Sequence, residues 1–283
     1  MEKLLLVWLM EKQLASDTVT EGIICEKQVF NCDETGLFWK KMPRTYIRAK
    51  EKKKPGHKSM KDRLTLTLCA NVIWRANPKA WVTREFFVVW VNLIFGSAIK
   101  KYLQKSNLPL QAFIILHNAP AHPPNLKDNS LKKFKFKKVV YLPANTTPIL
   151  HPMDQQVIPN FKKLFTKHLF RCCFEMTENI NLTLREFWKD HYNIVICLRI
   201  NNMAWQDVTK RTLTSAWKKL WPEVVSKRDF DRFNPEVAVV EIVSLGKSMG
   251  LELDEGDMNK LIEEHPEELM MEEFNELQKQ QHT

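Results

Sequence analysis

Three side chains in this sequence have the types and surroundings to do chemistry: Asp33, His117 and Asp154. His117 follows four consecutive apolar residues, 113–116, and Asn118-Ala-Pro-Ala-His-Pro-Pro then turns the chain. A short apolar run closed by turn formers predicts a buried parallel strand. The residue at the carboxyl end of such a strand faces the crevice where open α/β sheets take ligands. An imidazole there serves as a metal ligand, as an acid or base, or as a plain hydrogen-bonded histidine. Asp33 lies within an apolar strand, an expensive place for a lone carboxylate. Asp154 stands near the start of a helix, after a Pro-rich turn, where the dipole favours a carboxylate.

The elements that must position these residues are legible in outline. Residues 1–27 carry two short helical patterns. Residues 29–39 read as a strand that breaks at Gly36, and 40–61 as a loop dense in lysine and arginine. Alternation over 63–72 predicts a half-exposed strand. Residues 81–104 predict a long helix with Thr83 as N-cap and a middle that is apolar on nearly every face, so it should lie under other structure. A basic loop at 132–138 precedes a strand at 139–142. A helix follows the turn at 143–148, reaching about residue 175, with Pro159 tolerated in its first turns. Residues 182–221 predict two or three helices whose Phe187, Trp188, Trp205, Trp217 and Trp221 belong to a core. From residue 237 the pattern is of acidic helices broken by Gly246, Gly250, Gly256 and Pro266.

Composition narrows the partners. The 283 residues carry a net charge of +10, unevenly spread. Residues 236–283 hold 13 acidic and 3 basic side chains, which leaves +20 on the first 235 residues. A field of that sign attracts polyanions, nucleic acid foremost. Lys50, Lys52, Lys53, Lys54, Lys58 and Lys61 are the densest source of phosphate contacts. The six cysteines, Cys25, Cys32, Cys69, Cys172, Cys173 and Cys197, include no CxxC pair and no zinc-type spacing with histidine. Without a signal peptide they read as reduced intracellular thiols. The most apolar run, 86–95, is ten residues and contains Asn92, too short to cross a bilayer. No membrane partner is expected.

Acid on a first strand, acid at the end of a central strand and acid at a later helix start is the order of a ribonuclease-H-like nuclease, and His117 stands here between the two acids Asp33 and Asp154. There three carboxylates hold two divalent ions about 3.5–4 Å apart, and Mg2+ demands hard oxygen ligands. The wording of three segments strengthens that reading. Phe30-Asn-Cys-Asp-Glu-Thr-Gly-Leu-Phe-Trp-Lys-Lys-Met-Pro43, His117-Asn-Ala-Pro-Ala-His-Pro123 and Pro143-Ala-Asn-Thr-Thr-Pro-Ile-Leu-His-Pro-Met-Asp-Gln-Gln-Val-Ile158 closely resemble the pogo/Tigger transposases. These are DDE-type enzymes related to CENP-B and the jerky proteins. The resemblance continues through Trp188-Lys-Asp-His and Ala216-Trp-Lys-Lys-Leu-Trp-Pro222.

The resemblance implies an α/β, ribonuclease-H-like DDE domain over 28–175, followed by a helical extension over 176–235 and an acidic helical tail over 236–283. Residues 1–27 resemble a truncated helix-turn-helix unit that lacks its recognition helix. A second gap near residues 71–74 implies a missing edge strand, which exposes a new sheet edge. Asp33 matches the family's first catalytic aspartate and Asp154 its third, and both would be metal ligands. The second falls on His117. Imidazole removes a charge and two hard oxygens, and suits softer transition metals. The chain therefore reads as a degenerate, nuclear copy: a nucleic-acid-binding protein with weak, largely non-specific DNA affinity and weak or lost Mg2+ or Mn2+ binding. Two other readings stand beside it. One is a residual endonuclease using Asp33, His117 and Asp154 with Mn2+ or a softer ion; the other is an interaction protein acting through the acidic tail.

Overall fold

A computed structural model describes residues 28–40, 63–68, 83–119, 122, 136–143, 146–179, 183, 186–218, 220–221, 236–248 and 256. The chain forms two compact units. The first gathers residues 1–34, 66–157 and 210–229, and the second residues 35–65, 158–209 and 230–283.

In the first unit the sheet is parallel. Strand β4 (Ala112–Leu116) is its centre, flanked by β1 (Val29–Asn31) and β5 (Lys137–Tyr141). The buried run expected before His117 is therefore the middle strand, with Ile114 and Leu116 wholly enclosed. Strand β2 (Asp33–Phe38) pairs with β3 (Arg63–Leu68) in a separate two-stranded ladder. Among the described residues the strands therefore lie in two sheets rather than one. The division falls at Cys32, which leaves strand geometry between β1 and β2, whereas the expected break at Gly36 does not occur.

Helix α1 (Arg84–Lys105) covers this sheet. Thr83 caps it, its Oγ1 accepting from Phe86 N at 3.3 Å. Phe87, Trp90, Val91, Phe95, Ile99 and Leu103 pack on Ala112, Ile114, Leu116 and Val139, while Arg84, Glu85, Lys101, Gln104 and Lys105 at its two ends are exposed. By length and composition these 22 residues are apolar enough to cross a membrane, which corrects the ten-residue span read from sequence; here their buried side chains are sheet-facing core.

Residues 90–95 of α1 make a π-helical turn, and Lys137 fastens it. Its Nζ donates to Val91 O and to Asn92 Oδ1, both at 2.8 Å. Lys137, expected in an exposed basic loop, is 8 % exposed at the start of β5. Burial pushes its ammonium down to about 8. A base depressed in the folded state binds fewer protons than the unfolded chain, so stability rises as pH climbs from about 8 towards 10.5. Relative to Lys137→Met, the parent should gain on the order of 1–3 kcal/mol across that window. Denaturant melts of both proteins from about pH 7.5 to 10 measure it, and parallel curves would refute it.

The second unit includes residues 35–38 of β2 and 63–65 of β3, and the rest of its described secondary structure is helical. α3 (Ile158–Asn179) carries Pro159 in its first turn and runs four residues past its expected end. It packs against α4 (Ile194–Gln206) and α6 (Glu236–Ser248). The start of the acidic tail is thus a docked helix that passes through Gly246, with Val239, Ile242 and Val243 buried and Glu241 paired with Lys167. Phe187, Trp188 and Tyr192 form an aromatic cluster, as expected of core. Back in the first unit, α5 (Lys210–Trp217) brings Trp217 against Ile115, Leu142 and Leu220.

Cys172, Cys173 and Cys197 are free thiols, but Cys32 is disulfide-bonded, so the expectation of reduced cysteines fails at that position. Residues 1–27, the lysines from Lys50 to Lys61 and the proposed gap at 71–74 lie outside the described residues.

Candidate metal centre

Parallel pairing of β1 with β4, with Asn31 opposite Ile115, sets two carboxyl ends side by side. Asp33 lies just beyond one and His117 just beyond the other. They meet: His117 Nδ1 is 3.3 Å from Asp33 Oδ1. The third expected residue, Asp154, arrives on a π-helical turn (Met153–Val157) after the short helix α2 (Thr147–Leu150). Such turns recur at functional sites.

Between the two aspartates stands a residue that the sequence motifs did not single out. His151, wholly buried, places Nδ1 3.3 Å from Asp154 Oδ2 and 3.5 Å from Asp33 Oδ2. Asn31 fixes its tautomer. Met153 N donates to Asn31 Oδ1 at 3.1 Å, so the amide has one orientation. Asn31 Nδ2 then donates to Ile115 O and to His151 Nε2, both at 2.9 Å. With Nε2 accepting, a neutral His151 carries its proton on Nδ1, facing the carboxylates.

The electrostatics follow from burial. The Asp33 carboxyl is pushed well above the ordinary carboxylate range, first by burial and then by the charges of Asp154 and Glu34. Burial acts the same way on Asp154, but hydrogen bonding and charge from His151, with help from Asp33 and His117, outweigh it and hold that group low. Opposite shifts on two neighbouring aspartates are how a buried dyad limits the cost of facing like charges. Burial, then the neighbouring His122, lowers His117 to about 4, so it is neutral at about pH 7.

A second pair adjoins the first. His122, also absent from the sequence-based candidates, is 2 % exposed and stacks on Phe87 with ring centroids 4.1 Å apart. Its Nδ1 donates to His117 O at 3.0 Å, and its Nε2 lies 3.0 Å from Glu34 Oε2. Among the described residues, two overlapping groups could hold a metal ion, Asp33–His117–His151 and Glu34–His117–His122, with ligand atoms within 4.8 Å of one another. Glu34, His122 and His151 each stand within five residues of a residue singled out from sequence. Proximity to Asp33, His117 and Asp154 was the one signal that could have found them.

A profile of the DDE superfamily endonuclease family matches residues 40–217, beginning just after Asp33 and Glu34. The human Jerky protein homolog is 28% identical over 228 residues, covering 70% of this chain and 38% of that protein. Human Tigger transposable element-derived protein 7 is 26% identical over 259 residues, covering 77% of this chain and 47% of that one. The chain thus spans less than half the length of these relatives. Among solved structures, the Mos1 transposase paired-end complex with left transposon end covers 80% of this chain and 61% of its own, at 14% identity and a TM-score of 0.35.

Proposed function

Because the chain belongs to the DDE superfamily endonuclease family, with an α/β, ribonuclease-H-like fold, we propose that it is a transposase-derived, nucleic-acid-binding protein whose strand-cleaving chemistry is silenced. The observation that carries this is His117 Nδ1 at 3.3 Å from Asp33, where a two-ion site needs a hard carboxylate. His151 adds an N–H directed at both aspartates. The donor set therefore does not suit the pair of Mg2+ ions the family chemistry requires. Metal ions stabilise such transition states by several kcal/mol, so losing them implies a deficit of roughly a thousandfold or more.

The +20 charge on residues 1–235 supports DNA as the partner, bound through phosphates with little sequence preference, and a nuclear location accords with that. The full chain should bind duplexes in EDTA, and the affinity should fall steeply with salt as counterions are released. Replacing Lys50, Lys52, Lys53, Lys54, Lys58 and Lys61 by glutamine should make the log–log slope shallower, by about 0.9 for each phosphate that is no longer neutralised. Fluorescence anisotropy across a salt series measures this. Salt-independent binding would contradict it. Metal-dependent nicking of a plasmid would restore the residual-endonuclease reading.

A further inference from the structure

We propose that Glu34, His117 and His122 form a three-ligand site for a borderline transition ion of the Zn2+ class, beside the aspartate pair and independent of nucleic-acid binding. Of the two groups with suitable spacing, the one containing His151 is the weaker. Asn31 donates to His151 Nε2, which leaves the proton on Nδ1 and no lone pair aimed at the cluster.

His122 has the opposite arrangement. A backbone carbonyl accepts from its Nδ1, the outer contact that orients metal-ligating histidines and leaves Nε2 as the ligand. That Nε2 lies 3.0 Å from a carboxylate oxygen of Glu34, a contact that either a proton on Nε2 or a shared cation holds together. His117 joins both groups, with its Nδ1 3.3 Å from Asp33 Oδ1. Glu34 Oε1 and His117 Nδ1 are buried without an aligned hydrogen-bond partner among the described residues. Two imidazoles and one carboxylate, with a fourth position for water, are a donor set for Zn2+ rather than Mg2+.

The test uses the untagged full chain stripped with EDTA. Titration calorimetry with Zn2+ should show one equivalent binding, with a raised melting temperature, while millimolar Mg2+ leaves both unchanged. Co2+ as a probe should give the visible bands of a nitrogen–oxygen site without a thiolate charge-transfer band. Glu34→Gln keeps the shape of the side chain and should weaken Zn2+ binding by about a hundredfold or more, as should His122→Gln. His168→Gln removes a histidine paired with Asp207 in the second unit and should leave it unchanged. The proposal is overturned by absent Zn2+ binding, by a thiolate-type Co2+ spectrum, or by equal affinity in the parent and Glu34→Gln. The last outcome would make the His122–Glu34 contact a protonated ion pair.

Discussion

Replacing Asn31 by leucine should cost about 3–5 kcal/mol of unfolding free energy, although no charge is removed and the volume is nearly conserved. Asn31 is 5 % exposed, and its amide reaches three distant groups: Ile115 O, His151 Nε2 and Met153 N. Leucine leaves all three buried without those bonds, at roughly 1–3 kcal/mol each and not fully additive. The same amide joins β1 to the central strand and to the turn that carries Asp154. The effect should therefore appear as lower cooperative stability rather than as fraying of an edge. Urea unfolding of parent and variant measures it. A difference below about 1 kcal/mol would mean the three hydrogen bonds are not maintained in solution.

His117→Asp should lower stability in EDTA and create a response to Mg2+ that the parent lacks. A carboxylate placed 3.3 Å from Asp33 meets a group already pushed towards its protonated form by burial and by Asp154. The variant adds like charge there and removes a neutral ring. Mg2+ binds the folded variant through hard oxygens and contributes RT ln(1 + [L]/Kd), about 2.7 kcal/mol at a hundredfold excess over Kd. For a chain of this size that is on the order of 5–10 °C in melting temperature. Melts of both proteins in EDTA and in millimolar Mg2+ decide it. Equal Mg2+ responses would remove His117 from the site. Cleavage need not return, because His151 still stands between Asp33 and Asp154.

The central strand, the Thr83 cap, the enclosed helix before it and the family blocks around Asp33, His117 and Asp154 were legible from residues alone. Each is a local signal, since apolar periodicity and capping chemistry act over a few neighbours. Lys137 shows where local signals end. Inside a run of basic residues it reads as surface, yet tertiary packing turns it onto the π-helical turn 45 and 46 residues earlier in the chain.

What the sequence determined by itself is which segments become strands and helices, and that an imidazole replaces the family's second aspartate. What only the tertiary structure decided is the chemistry around that imidazole. Asn31 finds His151 across 120 residues, and Glu34 finds His122 across 88. Such pairs follow from strand register and from the exclusion of water, neither of which leaves a period in the chain. A buried polar atom must take whatever partner the packing brings, so the identity of these partners was fixed only when β1 and β4 closed side by side.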